Sequence, residues 1–154
     1  MAEARIVRRS DGESYEARWL FKHGSLVGGR FDFMVGEVRY LSGPPLHVHR
    51  EQDDTFFVLE GVLTVQTGDE LVDLGPGDFA TVPPGIAHTF DNIRKDQPPV
   101  KVINLMTPGG FDAQFRDMAL LGEAARDPAR TAPLREKHGV KTVGPTIGVK
   151  LGLV

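Results

Sequence analysis

The chain predicts an all-β sandwich or barrel that carries a C-terminal helical appendage. Short apolar segments recur between frequent turns, the pattern of a strand-rich fold. The 18 glycines and 11 prolines are spread along 154 residues instead of being massed in one tract, so they read as turn punctuation. Helical spacing enters only after the run Thr107-Pro108-Gly109-Gly110. One domain of this length can bury a proper core.

Taken in order, residues 17–22 form an early strand that ends near His23-Gly24. Gly28-Gly29 turns into a strand over residues 30–40, with Phe31, Phe33 and Val35 on one face and Met34, Val38 and Tyr40 on the other. Gly43-Pro44-Pro45 makes a rigid entry to His47-Val48-His49. Strands follow at 55–59, 62–66, 71–74, 79–82, 87–90 and 100–105, separated by turns such as Glu60-Gly61, Thr67-Gly68 and Gly75-Pro76-Gly77. In the tail, Phe111, Phe115, Met118 and Ala119 follow the i, i+4, i+7, i+8 spacing of an amphipathic helix, with Asp112 and Arg116 paired on its polar side. That aromatic stripe reads as core or dimer contact. A shorter helix covers residues 132–138 and stops at Gly139.

Composition narrows the function. The formal net charge of −3 and the lack of a basic face argue against a nucleic-acid partner. No apolar run approaches the ~20 residues of a membrane span, and the N-terminus lacks the apolar core of a secretory signal. The absence of cysteine excludes disulfides, thiolate ligands and thiol nucleophiles. The expectation is a cytoplasmic protein with a small-molecule substrate. Any metal must be held by histidine and oxygen donors.

Three of the five histidines, His47, His49 and His88, fall in strand-like segments. Alternate strand residues share a face, so His47 and His49 point the same way. Carboxylates stand close behind at Glu51, Asp53 and Asp54. Asp54 shares parity with Phe56 and Val58, whereas Asp53 shares it with Phe57 and Leu59, so only one of the two faces inward. Imidazole with carboxylate suits a divalent transition metal. His23 and His138 have no such company and read as ordinary structural or surface residues.

These residues carry a resemblance to the cupin superfamily in its single-domain form. The family's first motif reads G-x5-H-x-H-x(3,4)-E-x6-G; here His47-Val48-His49 is followed after four residues by Asp54, and after six more by Gly61. The second reads G-x5-P-x-G-x2-H-x3-N, and Gly77, Pro83, Gly85, His88 and Asn92 match every position and spacing. The first glycine stands four positions before His47, at Gly43, instead of six. Asp54 replaces the family's glutamate and is shorter by one methylene, about 1.5 Å of reach.

The resemblance implies a double-stranded β-helix (jelly-roll) barrel over residues 30–107, N-terminal strands over 1–29 and a tail over 108–154 packed on the barrel. It implies one metal ion, Fe(II), Ni(II), Mn(II) or Zn(II), held by His47, His49, Asp54 and His88. Asp54 or Glu51 is the expected general base. Phe56, Val58 and Phe90 are expected to line the pocket, joined by Phe31 or Phe33 and by Met106. Inward cations are expected only from Arg39 and Lys101, which argues against a sugar-phosphate substrate. The tail further resembles that of small quercetin-dioxygenase-like cupins. The leading expectation is therefore a non-haem dioxygenase acting on a small aromatic or enolic compound. An O₂-independent isomerase, decarboxylase or lyase, and a non-catalytic binding module, are the alternatives. A homodimer is expected, with Trp19-Leu20-Phe21 offering an exchange contact.

Overall fold

The computed structural model describes residues 3–16 and 18–154. Among the described residues, eleven strands build two antiparallel sheets. The first has six strands in the order β1 (Glu13–Tyr15), β2 (Trp19–His23), β3 (Asp32–Val38), β10 (Val100–Thr107), β5 (Asp53–Glu60) and β8 (Phe79–Val82). The second has five, in the order β11 (Val140–Thr142), β4 (His47–His49), β9 (His88–Asp91), β6 (Leu63–Thr67) and β7 (Glu70–Leu74). Three helices follow the last long strand: α1 (Asp112–Leu120), α2 (Pro128–Lys137) and α3 (Ile147–Lys150). No helix among the described residues is long and apolar enough to cross a membrane.

Strict alternation sets the core. Every second residue of β3 and β10 is buried, beginning with Asp32 and Val100, as a two-residue side-chain period requires. Met34, Val38, Phe56, Val58, Leu63, Val65, Val102 and Met106 meet between the sheets. In β9 all four residues are buried, because α3 packs across it from outside and its Ile147 is fully buried. Met34, not Phe33, points inward from β3, and Phe31 lies at the surface against His23.

Gly36 and Gly43 allow the closest approaches. A side chain at Gly36 would meet the Trp19 ring at 2.1 Å, so the indole lies flat against bare backbone. At Gly43 it would meet the Phe90 carbonyl oxygen at 1.9 Å, and the Gly43 N–H donates to Asp91 Oδ1 at 2.9 Å. The shifted motif glycine therefore anchors the approach to β4 against β9.

The sequence understates the tail. Val140–Thr142 forms a strand that pairs in register with β4, Val140 opposite His49. Helix α2 starts at Pro128, four residues earlier than expected; Asp127 caps it by accepting from the Ala129 N–H at 2.9 Å. Proline suits that first helical position because its missing N–H has no partner there anyway. Trp19 and Phe21, read as an exchange contact, are buried in the chain's own core.

Candidate metal centre

The site is assembled from three strands and both sheets. His47 and His49 stand two apart on β4, and antiparallel pairing places His88 of β9 directly opposite His47. Asp54 comes from β5 in the facing sheet. All four side chains are buried, and one potential ligand atom from each lies within 4.8 Å of every other. Asp54 Oδ2 is 3.1 Å from His88 Nε2 and 3.4 Å from His49 Nε2. Two ligands on one ion at bond lengths near 2.1 Å stand roughly 3.0–3.5 Å apart, so the shorter aspartate reaches. Asp53 takes the outward parity of the same strand.

The backbone sets the imidazole orientations. His47 Nδ1–H donates to the Pro45 carbonyl at 2.7 Å, and His88 Nδ1–H to the Ile86 carbonyl at 2.9 Å. Each bond leaves Nε2 as the free donor atom, the usual outer support of a metal-bound histidine. The Gly85 N–H, at a φ of 84, ties the loop before His88 to the His49 carbonyl at 2.9 Å. His49 Nδ1 has no partner among the described residues; its ring meets Phe111 edge-on at 5.1 Å.

This arrangement demands a cation. With Nδ1 of His88 already donating, a bare Nε2 lone pair would face the Asp54 carboxylate at 3.1 Å, two acceptors in contact. Either a proton or a metal ion must lie between them. Burial would push the His88 imidazole down, but the hydrogen bond and charge of Asp54 outweigh it and raise it. Burial would likewise push the Asp54 carboxyl up, but His49 and His88 hold it well below the usual carboxylate range. Burial, with repulsion from His88, pushes His47 down to about 4, which leaves it neutral and able to ligate at pH 7. The donor set thus fits a divalent ion of the kind that takes imidazole and carboxylate.

One prediction follows from the proton that metal must displace. Titrating metal-free protein with Zn(II) near pH 7, in buffers of different ionisation enthalpy, should release about one proton per ion, and apparent affinity should fall with acidity. Uptake without proton release would contradict an imidazolium at His88. In metal-free protein the raised His88 contributes stability fully below its unfolded value of 6.5, and loses it as pH climbs through the folded pKa. His47 acts in the other direction: its contribution is present above 6.5 and is lost as pH falls toward about 4.

Sequence reasoning missed Asn104. Its Nδ2 donates to Asp54 Oδ1 at 2.5 Å and to the Thr55 carbonyl at 3.0 Å, so it orients the carboxylate. The available signal was an amide at the inward parity of β10, between Val102 and Met106. Glu51, read as a possible base, is exposed, 3.6 Å from Arg50. It borders a surface hollow with Lys137 and His138 and is not brought to the histidines.

A cavity of about 250 Å³ opens onto His47, His49 and Asp54. Of the expected lining residues only Phe90 borders it. Phe56, Val58 and Met106 are fully buried in the layer beneath, and Phe33 lies on the opposite face of its strand. The other walls are Trp19, Met34 and Val38 from the barrel and Phe111, Phe115 and Met118 from the start of the tail. The aromatic stripe of α1 therefore roofs the cavity. Arg18 and Arg135 border it as well, whereas Arg39 is exposed and Lys101 pairs with Glu60 at 3.1 Å.

Residues 29–106 match the family described as the cupin domain. The chain belongs to the cupin family. This cupin is 35% identical over 72 residues to quercetin 2,3-dioxygenase of Bacillus subtilis (strain 168), a stretch that is 47% of this chain and 20% of that protein. Among solved structures, KdgF from Halomonas sp. superposes with a TM-score of 0.60 at 18% identity, over 72% of this chain and 99% of that one. A protein with a double-stranded β-helix domain from Klebsiella pneumoniae gives 0.53 at 25% identity, over 70% and 93% of the two chains. The fold of this cupin is accordingly the double-stranded β-helix, closed at one end by its helical tail.

Proposed function

We propose that this cupin is a metal-dependent dioxygenase acting on a small aromatic or enolic compound. The carrying observation is the buried His47, His49, His88 and Asp54 cluster at the floor of an aromatic cavity. The likeness of its barrel to part of a quercetin 2,3-dioxygenase supports the same reading. A divalent transition metal bound there supplies an open coordination position, at which a substrate hydroxyl becomes more acidic and O₂ can be activated. The chain's residues then divide the remaining work. Trp19, Phe90, Phe111 and Phe115 hold an apolar ring and keep water out. Asn104 holds Asp54 in one orientation. A carboxyl kept as strongly ionised as Asp54 serves better as a ligand than as a general base, which needs a pKa near the working pH. The volume falls below the ~300–1,000 Å³ of drug-sized ligands, which favours a single-ring substrate over a flavonol.

Elemental analysis of the native protein, followed by an oxygen electrode with candidate catechols and enols, tests the proposal. Turnover should stop without O₂; undiminished anaerobic turnover would overturn it. That second outcome is the mark of an isomerase, decarboxylase or lyase, a reading favoured by the charged Glu16, Arg18 and Arg135 in the same cavity.

The proposal includes a homodimer. The outward face of the six-stranded sheet presents Phe57, Leu59 and Phe79, the last 60% exposed, beside half-buried Phe33, Val35, Ile103 and Leu105. A patch of this kind is unusual on a monomer. Sedimentation should give twice the chain mass, and Phe57→Glu should return the monomer. A wild-type monomer at micromolar concentration refutes it.

A further inference from the structure

The cavity has a second polar region that metal binding does not use. Arg135, in the last turn of α2, borders it, and its Nε is buried without a hydrogen-bond partner among the described residues. Gln114 of α1 is only 8% exposed and borders it too, with Oε1 likewise unpartnered. Three other partly buried or cavity-side arginines have carboxylate partners: Arg116 with Asp112 and Glu13, Arg94 with Asp73, Arg18 with Glu16. Arg135 is half-buried, and its Nε is held away from water without an acceptor, which is costly. An arriving anion relieves that cost, and the planar fork of arginine matches a carboxylate. Position adds weight. Arg135 lies five residues before Val140, whose strand is paired with the metal-bearing β4.

Building on the metal-site reading, we propose that Arg135, with Gln114 on the same cavity, receives the carboxylate of a small apolar acid that occupies the metal cavity. The Gln114 amide rotates to offer its NH₂, since its oxygen and nitrogen exchange places without a change of shape. The ligand is then an aromatic or enolic acid with its anionic end at the helical tail. The apolar walls, and the positive charge that Arg135 adds beside the Arg18–Glu16 pair of the same cavity, suit a monoanion better than a phosphate dianion.

Trp19 is the only tryptophan and borders the cavity, so its emission reports occupancy. The probes are benzoate, phenylacetate and cinnamate, each against its neutral amide and against phenyl phosphate. Wild-type protein should bind at least one carboxylate about tenfold or more tightly than its amide. Arg135→Gln should remove that preference, a loss of about tenfold or more for hydrogen bonds to a charged group, with amide binding unchanged. Arg135→Lys should recover part of it. The glutamine variant should keep its metal content and unfold no earlier than wild type, because it loses an unmatched charge. Chelated protein should retain the preference, so an error about the metal leaves this result standing. Equal binding of acid and amide, a stronger response to phenyl phosphate, or an unchanged preference in Arg135→Gln would each overturn the proposal.

Discussion

His88→Ala should empty the metal site. Elemental analysis of the wild-type protein is expected to give about one ion per chain, and the variant close to none. Loss of an outer-shell partner alone costs metal affinity 10–100-fold, so loss of a ligand should exceed about 100-fold. The substitution also strips a buried carboxylate of its nearest positive partner, 3.1 Å away. Breaking a buried pair from one side costs about 3–5 kcal/mol, so the metal-free variant should also melt earlier and Asp54 should become easier to protonate. His23→Ala is the control. That ring packs against Phe31, centroids 4.4 Å apart, away from the cluster, and its loss should leave metal content intact. Full metal occupancy in His88→Ala would sink the four-residue site.

Phe56→Ala should cost about 3–5 kcal/mol, the range for truncating a fully buried aromatic. The ring is 0% exposed and lies 5.0 Å from Phe90, in the layer directly beneath the cavity. For a chain of this size that corresponds to a fall in melting midpoint of roughly 10 °C. Urea unfolding measures the same loss, with Leu120→Ala as comparison. Leu120 is 85% exposed and lies outside the proposed dimer face, and its truncation should stay within about 0.5 kcal/mol. A cost for Phe56 no larger than that would mean the floor collapses to fill the gap.

The contrast between Phe56 and Phe90 marks where sequence reasoning stopped. Strand parity assigned both rings to the interior, correctly, because side chains alternate whatever else the chain does. Parity carries no depth, so it could not tell the cavity wall from the layer beneath it. The choice of Asp54 over Asp53 rested on the same alternation and on the spacing to Gly61. Asn104 escaped notice because its partner is 50 residues away in sequence, and one amide in an apolar strand carries no spacing signal. The tail was the hardest to read. Helical periodicity found the apolar side of α1, but periodicity does not say what that side faces. Three-residue strands such as β11 are held by their neighbours and leave almost no local trace.

That short strand decides what the tail means for the whole molecule. Without Val140–Thr142, β4 would become the outermost strand of its sheet, its backbone donors and acceptors open to any extended peptide. A protein engineered by cutting the barrel free at residue 107 would thus acquire a sticky border along the segment that carries His47 and His49, two of the four clustered side chains. The helices can be exchanged for others, to fit a different substrate, only if a strand of matching register returns to seal that border.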